Sequence, residues 1–235
     1  MIQLHSLSKK YGRLEVLKSI DLEIKSGKIT AIVGPNGAGK TTIIKCILGL
    51  IKANEGGIYI DGKNIEGEYD YRDNIGYMAQ IARFPENLTV KNILRMIKDL
   101  RKGGYEELDE DLIHHFHLES EFEKKIRNLS GGNTQKVNAS IAFLFGPGYL
   151  ILDEPTASLD PIASSILKDK IKKEKQAGKT IILSSHIMAE VEEMADEIVF
   201  LLEGSIYYKG NTSGLIDVTG EKNLERAIAR MMDEQ

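Results

Sequence analysis

The run Ile29-Thr30-Ala31-Ile32-Val33, followed at once by GPNGAGKTT from Gly34 to Thr42, constrains this chain more than any other stretch. A short β-branched apolar run reads as a buried strand. The segment after the glycines, Thr42 to Leu50, carries apolar residues at helical spacing. Strand, glycine-rich loop and helix is the setting in which G-x-x-x-x-G-K-[ST] has a physical meaning, and Gly34, Gly39, Lys40 and Thr41 fill that pattern. Gly37 and Gly39 permit a tight turn in which successive backbone N–H groups face one point. The helix N-terminus adds partial positive charge there. Lys40 can reach outer phosphates, and the Thr41 hydroxyl can ligate Mg²⁺. The ligand implied is a nucleoside triphosphate.

The 235 residues, 42% of them hydrophobic, suffice for one domain with a real core or for two small ones. The net charge of −4 comes without any Lys/Arg block, so no nucleic-acid footprint is visible and no nucleic-acid partner is expected. The single cysteine, Cys46, excludes an internal disulfide and suits a reducing compartment. Its place in the apolar helix after the glycine loop predicts a buried, inert thiol. The start, MIQLHSLSKKYG, has no signal-peptide core. No apolar run approaches the ~20 residues that a membrane helix needs. The best candidate, Ile141 to Leu152, is broken by Gly146-Pro147-Gly148. A cytosolic or peripheral protein is expected.

Strand-like runs at Ile2–Leu4, Leu22–Ile24, Ile29–Val33, Gly57–Ile60 and Ile75–Met78 are separated in several places by glycine turns. From Val90 to about Gly146 helical spacing takes over, as in Ile93, Leu94 and Ile97 or Leu112, Ile113 and Phe116. Strand-like Tyr149–Leu152, Thr180–Leu183 and Ile198–Leu202 then alternate with helical Ser164–Gln176 and Met188–Ala195. Such alternation predicts a parallel α/β sheet, with the middle helical block inserted into it. Leu224, Ala227, Ile228 and Met231 fall on one helical face, which is expected to pack on the domain.

Two further features bear on chemistry. Tyr149-Leu150-Ile151-Leu152-Asp153-Glu154 is a buried strand ending in two acids. Ligands of parallel α/β sheets sit at the C-terminal ends of strands, which places Asp153 at the Mg²⁺ shell and Glu154 beside the attacking water. Asn128 to Asn133 reads NLSGGN and opens a helical run, Gln135 to Phe145. Ser130 is a plausible N-cap, and Gly131 and Gly132 expose N–H groups to an anion. Two separated phosphate-binding devices in one chain suggest a nucleotide held between two copies of it.

With Gln80, Ser158-Leu159-Asp160 and His186, these residues resemble the ATP-binding subunit of an ABC transporter. Tyr11 matches the adenine-stacking A-loop and Gly34, Pro35, Asn36, Gly37, Ala38, Gly39, Lys40, Thr41 and Thr42 the Walker A loop. Gln80 matches the Q-loop, Leu129 to Asn133 the signature, Tyr149 to Glu154 the Walker B strand, 158–160 the D-loop and His186 the switch histidine. The resemblance implies a P-loop NTPase with a RecA-like α/β core, an antiparallel β subdomain and an inserted helical subdomain. It places core and β subdomain at 1–85 and 147–220, the helical subdomain at about 86–146 and a C-terminal helix at 221–235. It implies ATP and Mg²⁺ as ligands, with Thr41, Gln80 and Asp153 near the metal, Lys40, Glu154 and His186 in catalysis, and Ser130, Gly131 and Gly132 on the γ-phosphate. It further implies a head-to-tail homodimer bound to an integral membrane permease at the cytoplasmic face of the membrane. Asn133 stands where the family usually has Gln, and Lys136 where many members have Arg; the contact residues of the signature are all present, so an active signature is expected.

Phe84-Pro85-Glu86-Asn87-Leu88-Thr89-Val90 resembles subunits that serve ABC-2 type exporters. The stretches around 130–161 and 184–204 resemble the ATPase subunit of the transporter that matures the copper site of nitrous-oxide reductase. Phe84, Leu88 and Val90 are expected to line an exposed groove for a permease helix, Pro85 keeping that loop from becoming helix; the alternative is that they close the core under the helical subdomain. His114, His115 and His117 are expected to lie on a solvated helix, since no acid or cysteine joins them at ligand spacing. Too few residues separate Gln80 from Ser130 for the coiled coil of chromosome-associated relatives, and a single motif set differs from fused translation factors. A soluble assembly-scaffold ATPase without a permease remains the alternative.

Overall fold

The computed structural model describes residues 1–101 and 108–233. In chain order the elements are β1 (Ile2–Tyr11), β2 (Leu14–Ile24), β3 (Ile29–Val33), α1 (Lys40–Ile47), β4 (Glu55–Ile60), β5 (Lys63–Asn64), β6 (Ile75–Met78), α2 (Val90–Leu100), α3 (Asp111–His115), α4 (Gly131–Phe143), β7 (Tyr149–Asp153), α5 (Pro161–Gln176), β8 (Thr180–Ser184), α6 (Met188–Met194), β9 (Glu197–Leu202), β10 (Ser205–Gly210), α7 (Thr212–Thr219) and α8 (Leu224–Asp233).

Six strands form one sheet in the order β10-β9-β3-β8-β7-β6, parallel except for β10, and four form an antiparallel sheet in the order β2-β1-β4-β5. Every residue of β3, β7 and β8 is buried, because both faces of the parallel sheet are covered. The period-2 alternation of side chains then feeds two cores. Ala31, Leu150, Leu152 and Leu183 face the helices α2 to α6, whereas Ile32, Ile151 and Ile182 face α1 and the antiparallel sheet.

Element type follows the sequence reading for the apolar strands and the long helices. Several boundaries differ for identifiable reasons. β1 runs seven residues past Leu4, through polar positions, because register shifts between Leu4, Leu7 and Lys9 break its alternation. Ser130 accepts a hydrogen bond from the Asn133 N–H at 3.1 Å and starts α4 at Gly131, earlier than Gln135. β10 and α7 carry no strong periodic signal and were not anticipated; Asn211 caps α7 by accepting from the Gly214 N–H at 2.7 Å. Leu224, Ala227 and Ile228 of α8 are buried and Met231 packs on the same core, in keeping with the apolar face. Residues 234–235 of the expected 221–235 helix lie outside the described residues.

The expected exposed groove at Phe84, Leu88 and Val90 needs correction. Val90 is fully buried as the first residue of α2, whose cap Thr89 accepts from the Asn92 N–H at 3.2 Å. Phe84 and Leu88 are half-buried against the same core. A first-turn apolar residue next to a cap is turned inward when the helix packs through that face, and linear sequence does not show which face that is.

The helical segment is pinned to α5 by an ion cluster centred on the buried Lys170. Lys170 Nζ lies 2.5 Å from Asp109, 3.0 Å from Asp111 and 3.0 Å from Glu174, and Lys173 lies 2.7 Å from Asp111. Burial works against the charge on Lys170, but these carboxylates hold its pKa above the ordinary lysine value. Lys170→Met is expected to cost about 3 kcal/mol in a denaturant melt, since it leaves Glu174 buried with only Lys179 beside it. Hydrogen bonds from Lys173 and then Lys170 hold the Asp111 carboxyl at about 2, below its usual 3.8. A depressed carboxylate stabilises the fold above its unfolded value, so this contribution is lost as pH falls from about 4 through 2.

Candidate active site

The strand order places four sequence features side by side. β3, β8, β7 and β6 are neighbours, and their C-terminal ends lead into Gly34, Ser185-His186, Glu154 and Gln80. Ser184 pairs with Ile32 on one side and with Asp153 on the other, so the three strand ends are level.

The glycine loop is shaped by close packing. Gly34 has φ 149°, and a Cβ there would lie 2.0 Å from the Leu201 carbonyl oxygen. Gly39, the N-cap of α1, has φ 111°, and a Cβ there would meet Leu17 at 2.7 Å. Lys40 is buried, and its ammonium donates to the carbonyls of Gly34 at 2.6 Å and Pro35 at 3.1 Å. Burial lowers its pKa, and the carboxylates of Glu154 and Asp153 oppose that shift. Gly34→Ala should cost about 3 kcal/mol or more in thermal melts, because the clash is with backbone that no rotamer change relieves. Nucleotide binding should fall with it, since the Gly34 carbonyl also seats Lys40.

Asp153 accepts from the Thr41 hydroxyl at 3.2 Å and from the Ser184 hydroxyl. This brings two hard oxygen donors of the loop and the strand together, a set suited to Mg²⁺. Glu154 has φ 51°, a left-handed backbone that is uncommon outside glycine. Its N–H is fixed at 3.1 Å from both the carbonyl and the hydroxyl oxygen of Ser184. Its carboxylate is buried and meets His186, whose Nδ1 lies 2.7 Å from Oε2 and whose backbone N–H donates to the same oxygen at 3.3 Å. The His186 side chain itself is 65% exposed.

A cleft of about 280 Å³ opens above this constellation. Tyr11, Leu14 and Val16 of the antiparallel sheet form one wall. Asn36, Gly37, Gly39, Lys40, Thr41 and Thr42 form the floor, and Gln80, Asp153 and Glu154 the other side. Tyr11 is half exposed, and the Lys9 ammonium lies 5.2 Å from its ring centre. Pro35 and Ala38 shape the loop from behind, Ala38 donating its N–H to the Pro35 carbonyl at 3.2 Å. Leu14, Val16 and Ser184 were not singled out from sequence; Ser184 lies two residues before His186, but its hydrogen bonds need the neighbouring strand. A larger cavity of about 740 Å³, bounded by β4, β5 and Tyr69 to Arg72, contains none of these groups.

Ser130, Gly131 and Gly132 do not line the cleft. Ser130 and Gly131 are exposed at the start of α4, and a Cβ on Gly131 would meet nothing within 4 Å. Gly132 instead approaches Ser158, whose carbonyl would lie 3.1 Å from an added Cβ. His114 and His115 are exposed; His114 meets Glu119, and His115 Nδ1 lies 2.7 Å from the Asp111 carbonyl. Cys46 is buried, and burial pushes its thiol up to about 11.

Comparison with known proteins agrees with this geometry. The ABC transporter family model matches residues 17–157. The lantibiotic transport ATP-binding protein SrtF of Streptococcus pyogenes is 34% identical over 96% of this chain and 94% of its own length. The arginine transport ATP-binding protein ArtM of Bacillus subtilis is 34% identical over 90% of this chain and 91% of its own. A solved ATP-binding subunit of an ABC transporter superposes with a TM-score of 0.90 at 31% identity, covering 99% of both chains. A dimeric ATP-binding cassette in a post-hydrolysis state with ADP and Pi superposes with a TM-score of 0.79 at 26% identity, over 90% of this chain and 98% of that one. Fold and comparisons together define a P-loop ATP hydrolase with a RecA-like α/β core. The chain belongs to the ABC transporter family, as an ATP-binding subunit. Among the described residues no helix is long and apolar enough to cross a membrane.

Proposed function

We propose that two copies of this chain bind two ATP molecules head to tail and drive a separate integral membrane permease from the cytoplasmic face of the membrane. The observation that carries the reading is the convergence of Lys40, Thr41, Asp153 and Glu154 in one cleft at adjacent strand ends, with His186 held on Glu154. Tyr11 stacks on the adenine, with Leu14 and Val16 beside it. Residues Gly34 to Thr42 wrap the phosphates, and Lys40 exchanges the carbonyls of Gly34 and Pro35 for phosphate oxygens. Thr41, Asp153 and Gln80 offer the oxygen set for Mg²⁺, which when bound neutralises charge on the phosphates. Glu154 orients the attacking water and receives its proton, and His186 bridges Glu154 to the γ-phosphate. Ser130, Gly131 and Gly132 complete the site on the partner copy; their exposure away from the cleft in their own chain supports that assignment. In this reading residues 1–85 and 147–220 are core and β subdomain, about 86–146 the helical subdomain, and the segment from 221 onward, which carries α8, a C-terminal appendage.

The permease is of the ABC-2 type and the direction export, a reading supported by the resemblance of the Phe84–Val90 stretch to subunits that serve such exporters. The task is maturation of the nitrous-oxide reductase copper site, supported by the resemblance of the signature-to-switch region. Deleting the gene in its host should leave nitrous-oxide reductase without its catalytic copper, measured by metal analysis and visible absorption. The chain should also co-purify with a membrane subunit that raises its ATPase rate. A copper-replete reductase in the deletion strain removes the copper assignment, and failure to recover any membrane subunit favours an assembly-scaffold ATPase.

A further inference from the structure

The loop that carries Glu154 and the loop that carries His186 are joined at a second place. Near the strands the joint is made by backbone, the Glu154 N–H donating to Ser184. Beyond it, Glu154 turns through its left-handed conformation into a short turn, with the Ala157 N–H on the Glu154 carbonyl and the Leu159 N–H on the Thr156 carbonyl, both at 3.1 Å. The side chain of Thr156, buried to 7% exposure, donates its hydroxyl to Glu190 Oε2 at 2.6 Å. Glu190 sits in the first turn of α6, four residues after His186. Thr156 follows Glu154 by two residues and Glu190 follows His186 by four, so the bond ties together the far ends of both loops.

A residue in a strained backbone conformation keeps it only where its surroundings over-determine it. A hydrogen bond to a carboxylate is stronger than one between neutral groups, which suits the Thr156–Glu190 bond to holding the turn after Glu154 on α6. Lys168 ion-pairs with Glu193 at 2.6 Å, while Glu190 Oε2 accepts from Thr156.

We infer that Thr156 and Glu190 are positioning residues for ATP hydrolysis: their bond sets the separation of the two loops and so keeps the Glu154 carboxylate on His186. The inference rests on the assignment of Glu154 and His186 to the reaction. Neither residue touches the cleft, so their contribution is expected in kcat and not in nucleotide affinity.

The test is a set of five variants, with Glu154→Gln alone as the reference for the last, assayed for kcat, KM, affinity for a fluorescent ATP analogue and melting temperature. Thr156→Val keeps the shape and removes the hydroxyl; Thr156→Ser keeps the hydroxyl; Glu190→Ala removes the acceptor; the fourth combines Thr156→Val with Glu190→Ala; the fifth places Thr156→Val in a Glu154→Gln background. Thr156→Val and Glu190→Ala should each lower kcat about tenfold with nucleotide affinity unchanged, because small misplacements of reacting groups carry large rate penalties. Thr156→Ser should recover most of the rate. The double variant should be no slower than either single one, since both remove the same bond. Thr156→Val should add nothing to Glu154→Gln. Wild-type kcat in both Thr156→Val and Glu190→Ala overturns the inference, as does a rate loss that Thr156→Ser does not restore and that affinity and melting temperature share. If instead Glu154→Gln alone keeps the wild-type rate, it is the assignment of Glu154 that fails.

Discussion

Glu154→Gln is expected to leave ATP binding intact and to remove nearly all turnover, by roughly 10²–10⁴-fold, the usual loss for a positioned base. The amide copies the carboxylate's shape, so the buried side chain keeps its packing and can still hydrogen-bond His186. What it loses is charge and basicity. The backbone that aims residue 154 depends on its N–H to Ser184, which the substitution does not touch. Phosphate release measures the rate, and size-exclusion with ATP measures the second consequence, a trapped dimer. Near wild-type phosphate release would take Glu154 out of the reaction.

Ser130→Arg should leave the monomer folded and able to bind ATP but abolish ATP-dependent dimerisation. Ser130 is exposed, and a Cβ added at neighbouring Gly131 would meet nothing within 4 Å, so a larger side chain here can point to solvent. The intramolecular cost is the lost cap of α4, about 1 kcal/mol. Lys40→Ala acts at the other half of the composite site, weakening nucleotide binding by roughly 10–100-fold through loss of charge-assisted hydrogen bonds. In a head-to-tail dimer of one copy of each variant, both lesions fall in one site. The other site keeps Lys40 from one chain and Ser130 from its partner. Mixing the variants should therefore restore an ATP-dependent dimer that neither forms alone. A Ser130→Arg homodimer with full activity would remove the split-site arrangement.

The sequence alone determined the parts whose meaning is local. Gly34 to Thr42 and Asp153-Glu154 lie at the ends of apolar strands, where periodicity and turn chemistry point to them, and the resemblance to ABC ATP-binding subunits adds His186. The helix after each loop and the burial of Cys46 follow from the same short-range patterns. Other features were decided by tertiary structure. The order β3-β8-β7-β6 brings loops from distant parts of the chain to one edge, and no local signal encodes which strands become neighbours. Ser184 matters because it pairs between Ile32 and Asp153. Leu14 and Val16 join Tyr11 in the cleft because the antiparallel sheet packs over α1 and the loop. Val90 is inside because α2 docks through the face that begins there, while Ser130 remains outside because α4 starts at the surface. The physical reason is the same in each case. Dihedral preference and hydrophobic period act over a few residues and can be read from the chain, whereas burial, register and hydrogen-bond partners depend on residues brought together only when the core closes.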